Sequence, residues 1–208
     1  MRRHRTWGIF VGSVILLAGC SETQAGIPSP VPSPGPEQDT SAVPPASGSA
    51  RAPVVANPLD ATKFLEAPCS LLTEDQAREA GDLSDPRPDV ANAQGPECEW
   101  REPNGGDLKL SFLTAGAGGL DGLYRSHEVK PLAYFEPVPD VAGYPGVFND
   151  GAVDRRKRGS CSLSVGVRDD LLLTAVAGYD SPSPRYSNPC SAAQEVAEMA
   201  VGTMRGSA

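Results

Sequence analysis

The sequence predicts one α+β domain: a mainly antiparallel β-sheet, flanked by N- and C-terminal helices and braced by two disulfides. Three observations carry this expectation. Runs of alternating apolar and polar residues flank turn sequences between residues 98 and 176. A capping-box sequence at Thr73 and an apolar stripe after Asn188 place a helix near each end of that stretch. Four cysteines, Cys69, Cys98, Cys161 and Cys190, lie within it, separated by 29, 63 and 29 residues.

The elements follow in chain order. Thr73-Glu74-Asp75-Gln76 fits a capping box, with Thr73 as N-cap and Gln76 reaching back to its backbone. The helix it starts should end near Ala80, before Gly81. Residues 82–96 are rich in Pro, Asp and Asn and read as loop. Cys98 to Arg101 alternates, Asn104-Gly105-Gly106 turns, and Leu108, Leu110 and Phe112 alternate again, which is the signature of a β-hairpin. Gly119 to His127 is a short helix with Leu120 and Leu123 on one side, and Ala133 to Val138 is a further strand. Val141 to Gly146 reads as a fixed turn. Cys161, Leu163, Val165 and Val167 alternate with Ser160, Ser162, Ser164 and Gly166, so this strand should be buried on one face only. Leu171 to Val176 is apolar on both faces and belongs at the centre of the sheet. Asn188 is placed to cap the last helix, and Pro189 suits its first position, where no N–H is needed. Ala193, Val196, Ala197, Ala200 and Met204 make the buried stripe of that helix. About 150 residues are enough for one core, burying about 68–70% of the unfolded surface.

The N-terminus is of a different kind. Arg2, Arg3 and Arg5 precede an apolar run from Trp7 to Leu17, too short for a bilayer core, which needs about 20 residues. A basic head, a short apolar body and small residues Ala18-Gly19 make a secretory signal. Leu17-Ala18-Gly19-Cys20 resembles the lipobox of bacterial lipoproteins. That resemblance implies cleavage after residue 19 and acylation of Cys20, whose acyl chains then hold the protein in the cell membrane on its extracytoplasmic face; two or more chains give stable anchoring. Residues 20–57 follow as a Pro-, Ser- and Gly-rich tether without hydrophobic period, spanning roughly 35 Å as a coil. The globular domain is residues 58–208. A proline-rich recognition motif is the other reading of the tether.

An exported chain with four remaining cysteines favours two disulfides over zinc, which prefers close Cys-x-x-Cys spacing. Cys69–Cys98 and Cys161–Cys190 are the favoured pairs, each loop contributing roughly 3–4 kcal/mol. Crossed pairings close longer loops and stay open at this level.

Charge excludes some partners. Without residues 1–19 the chain carries 15 Lys and Arg against 26 Asp and Glu, close to -11. This opposes nucleic acid, whose binding rests on basic contacts to phosphate. It equally opposes electrostatic adhesion to anionic lipid. Gly116 to Asp121 does not complete a dinucleotide fingerprint, because Asp121 stands where the third glycine belongs. Beyond the leader there is one histidine, His127, so any Ser-His-Asp chemistry must use it. No catalytic set, metal-ligand spacing or cofactor motif emerges. Arg155, Arg156, Lys157 and Arg158 form the one basic block and are candidate ligand contacts, and Tyr144 is another. A solvated loop and a packed ring are the plainer readings of these two features.

"PCSLLTEDQA", "CEW", "VAGYPGVF", "CSLSVGV" and "NPCSAAQEVA" occur in that order. Together they resemble the DUF3558 family of actinobacterial lipoproteins over about residues 60–205. The resemblance implies extracytoplasmic location and disulfides, and a fold similar to the Mog1/PsbP-like sandwich of helices on an antiparallel sheet; it implies no chemistry. The expected function is a non-catalytic binding or accessory module of the cell envelope. Its ligand would be a small apolar molecule, an envelope polymer or another protein. The competing readings are an envelope hydrolase using His127 and a purely structural or signalling accessory.

Overall fold

A computed structural model describes residues 51–116 and 118–207. The expected leader, the expected acylation site Cys20 and most of the expected tether lie outside these residues. Seven antiparallel strands form a single sheet: β1 (Ser84–Asp89), β2 (Glu97–Arg101), β3 (Gly106–Leu113), β4 (Tyr134–Val141), β5 (Tyr144–Asp150), β6 (Ser160–Arg168) and β7 (Leu171–Tyr179). Their spatial order is β1-β2-β3-β7-β6-β5-β4. Two meanders, β1 to β3 and β4 to β7, meet where β3 pairs with β7. Helices α1 (Thr62–Glu66), α2 (Glu74–Glu79), α3 (Gly119–Val129) and α4 (Pro189–Arg205) complete the α+β architecture.

One sheet face carries the main core. Cys98, Trp100, Leu110, Phe112, Leu163, Val165, Leu173 and Ala175 are buried there with Phe64 of α1 and Leu71. α4 lies across β6 and β7 and contributes Ala193, Val196, Ala197, Ala200 and Met204, the stripe read from its spacing. Its alanines let the helix approach the central strands closely. Both favoured disulfides are formed, Cys69–Cys98 and Cys161–Cys190. Each joins the start of a helical segment, the 3₁₀ turn Pro68–Leu71 or α4, to a strand. The Thr73 capping box is complete: the Thr73 hydroxyl accepts from Gln76 N–H and the Gln76 side chain accepts from Thr73 N–H at 2.8 Å.

Several local expectations are corrected. Residues 84–89 form an edge strand, not a loop. All six are exposed, so no alternation marks them. Pro86 and Pro88 are tolerated because an edge strand needs donors on one side only. β4, at the opposite edge, likewise carries Pro137 and Pro139. The fixed turn is real at Ala142-Gly143, but Tyr144 onward is a nearly fully buried strand. β6 is covered on both faces, because α3 packs Leu120 and Tyr124 against Val147 and Leu172 on the second face. Small residues make room there. Ser164 is 4% exposed and is satisfied by Asn149 Nδ2 at 3.0 Å and by the Thr174 hydroxyl at 3.2 Å. Asn188 precedes α4 without a side-chain capping hydrogen bond.

The body also begins upstream of residue 58. Residues 51–55 form a strap on the sheet: Val55 is buried, its N–H donates to Asp169 Oδ1 at 3.2 Å, and Leu59 N–H donates to the Val167 carbonyl at 2.9 Å. The chain therefore enters the body at the C-terminal end of β6.

Candidate functional site

At the other end of β6 a cleft of about 650 Å³ opens between β4, β5, the turn at 156–158 and the start of α4. β6 has nine residues, so its two ends, one beside the cleft and one beside the strap, stand roughly 26 Å apart at 3.3 Å per residue. The Cys161–Cys190 bridge fixes the cleft floor by tying the first turn of α4 to the first residues of β6.

The cleft wall is held from behind. The Asp150 side chain is 1% exposed and accepts three hydrogen bonds from Arg155: backbone N–H at 3.0 Å, Nε at 2.9 Å and Nη2 at 2.6 Å. A buried carboxylate needs such partners, and meeting the need fixes the loop that presents Arg156. The Arg156 guanidinium lies 3.4 Å from the centroid of the Tyr134 ring. Its Nε and Nη2 donate to Asp154 at 3.0 and 2.7 Å. Guanidinium carries five N–H donors, so three remain after this pairing. Gly159 closes the turn at φ +76°. A Cβ there would come within 2.4 Å of both the Tyr179 carbonyl oxygen and Cδ2 of Tyr186, so glycine alone lets the Tyr186 ring lie against the backbone.

The electrostatics reinforce this geometry. The hydrogen bonds from Arg156 hold the Asp154 carboxyl down at about 2. The same pairing raises Arg156. Burial first, and then the hydrogen bond to Glu136, push the Tyr134 phenol up to about 12. At neutral pH the wall thus presents a neutral phenol donating to the Glu136 carboxylate, a charged guanidinium and the exposed ammonium of Lys157.

Of the residues singled out in the sequence, Arg156 and Lys157 line this cleft. Arg155 supports it from Asp150, and Arg158 lies on the exposed turn. Tyr144 is a core residue and not a cleft contact: it is 5% exposed and its hydroxyl donates to the Asn57 carbonyl at 2.8 Å. His127 stacks on Phe135 with centroids 4.1 Å apart, and its Nδ1 accepts from Leu132 N–H at 3.1 Å. Those contacts give it a packing task. Tyr134, Glu136, Asp154 and Tyr186 were not singled out in the sequence. The i, i+2 spacing of Tyr134 and Glu136, and of Asp154 and Arg156, was the available signal.

A second hollow of about 620 Å³ lies between the strap and α3, beside Leu120, Asp121, Arg125 and Asp169. Arg125 pairs with Asp121 there, and Arg51 and Glu128 also line it. Among the described residues no three His, Cys, Asp or Glu side chains are grouped to hold a metal ion, and no helix is long and apolar enough to cross a membrane.

The DUF3558 family, described as a protein of unknown function, matches residues 15–203, and the chain belongs to that family. No curated protein and no solved structure matches it.

Proposed function

We propose that this DUF3558 protein is a lipid-anchored extracytoplasmic lipoprotein whose domain is a non-catalytic binding module, with the cleft beside α4 as its ligand site. The observation that carries the binding role is the Arg156 wall: a guanidinium stacked on Tyr134, clamped by Asp154, with three donors to spare over a cleft of ligand-binding size. Preorganised donors of this kind lower the ordering cost of binding. Anchoring rests on Leu17-Ala18-Gly19-Cys20 and the Pro-rich residues that follow. In this reading Cys20 carries the acyl chains, residues 20–50 form the tether, and the membrane is contacted through lipid alone. The strap leaves the body at the end of β6 remote from the cleft. The partner belongs to the envelope, and no nucleic acid or cofactor is invoked. His127 is read as a packing residue, because its Nδ1 and one ring face are already engaged.

The test uses the full chain purified from membranes. Mass spectrometry should find an acylated N-terminal peptide starting at Cys20, and a Cys20→Ala variant should leave the membrane fraction. Hydrogen–deuterium exchange with and without the low-mass fraction of an envelope extract should show protection at residues 134–136, 154–157 and 186–190. An unacylated chain that keeps residues 1–19 overturns the anchoring. Unchanged exchange at all three segments overturns the binding role.

A further inference from the structure

The chemistry lining the cleft narrows the class of ligand. It presents donors, the three remaining N–H groups of the fixed Arg156 guanidinium and the exposed Lys157 ammonium, beside acceptors on Glu136 and Asp154. Two positive and two negative side chains among these four sum to zero. A charged ligand would satisfy one sign and leave the other facing it unpaired and partly desolvated. Without residues 1–19 the chain is acidic, close to -11, which further disfavours an anion on approach. A purely apolar ligand fits no better, since it would bury four charges without replacing their water. What matches is a neutral molecule whose groups donate and accept together and whose body has apolar ring faces. Half-exposed Tyr134 and Tyr186, with Phe148 at the back, supply the aromatic surface.

Resting on the reading of this cleft as the binding site, we infer that it takes a neutral saccharide, with hydroxyl groups bridging Arg156 and Glu136 and a pyranose face against the tyrosine rings.

The experiment is ligand-observed NMR on the full chain in a non-glycosidic detergent. The probes are maltotriose, cellotriose and chitotriose as neutral saccharides, glucuronate and inorganic phosphate as anions, and naphthalene as an apolar probe. At least one neutral trisaccharide should bind. Arg156→Gln should weaken it by about tenfold or more, the loss expected for a hydrogen bond to a charged group. Ser187→Trp, which changes an exposed residue on the cleft rim, should abolish it while leaving the fold intact by circular dichroism. Binding of only the anions or of naphthalene, sensitive to Ser187→Trp, overturns the saccharide assignment and leaves the cleft a binding site. Silence of all three trisaccharides with the extract still protecting the cleft does the same. Saccharide binding indifferent to both variants places the site elsewhere and overturns the inference. Silence of every probe together with unchanged exchange in extract overturns the binding role itself.

Discussion

Cys69–Cys98 and Cys161–Cys190 each enclose a separation of 29 residues. In the chain-entropy treatment a loop of that length removes about 12 cal/mol/K from the unfolded ensemble, or about 3.6 kcal/mol at 25 °C. Replacing either pair by alanine should therefore lower the unfolding free energy by that amount. Alanine is the right substitute, because Cys98 and Cys161 are 0% and 1% exposed and serine would bury a hydroxyl. The two loops share no residue, so their effects should add. The combined loss of about 7 kcal/mol is comparable with the whole stability of an ordinary domain, about 5–15 kcal/mol. The assay is guanidinium unfolding of wild type, both double variants and the quadruple variant, followed by far-ultraviolet circular dichroism. The dependence on denaturant should also steepen in the variants, as the unlinked unfolded chain exposes more surface. A loss below about 1.5 kcal/mol for either pair, or a quadruple variant nearly as stable as wild type, would refute the reasoning that loop closure governs these bridges.

Three further outcomes follow from local geometry. Gly119→Ala should cost upwards of about 2 kcal/mol in the same unfolding assay, since φ is +59° and the added Cβ would lie 1.9 Å from the Asp169 carbonyl oxygen; a neutral effect would mean α3 does not seat on the β6–β7 turn. Phenolate absorbance should show a tyrosine titrating near 12 that disappears in Tyr134→Phe. The fold favours the neutral phenol, so its contribution to stability is present below pH 10 and lost as pH rises through about 12; titration at the ordinary value would separate Tyr134 from Glu136. Asp154 carries the opposite sign: its pairing favours the fold above the usual 3.8 and is lost as pH falls through about 2. Its carboxyl carbon shift should stay constant down to pH 4, and a midpoint near the usual value would dissolve the pairing with Arg156.

How far the sequence disclosed this molecule depended on whether the signal was local. The Thr73 box, the hairpin around Asn104-Gly105-Gly106 and the α4 stripe are short-range patterns, and each appears where its spacing puts it. β1 and β5 escaped because neither alternates, for opposite reasons. Prolines and an unalternating face hide the exposed edge of one, and burial on both sides hides the period of the other. The half-buried expectation for β6 failed because serines and a glycine occupy its second face, and small polar residues look like solvent until a helix is seen to cover them. The cleft was legible only at Arg156 and Lys157. Tyr134 and Tyr186 are 52 positions apart in the chain, and the fold, pinned by Cys161–Cys190, brings them to one cleft.

The prolines at the sheet margins have a last consequence. With Pro86 and Pro88 on β1 and Pro137 and Pro139 on β4, each border lacks two of the donors that a continuing ladder requires. Copies crowded side by side cannot zip into a shared sheet, and an extended peptide cannot join at either margin by main-chain pairing. At these two margins, recognition has to pass through side chains.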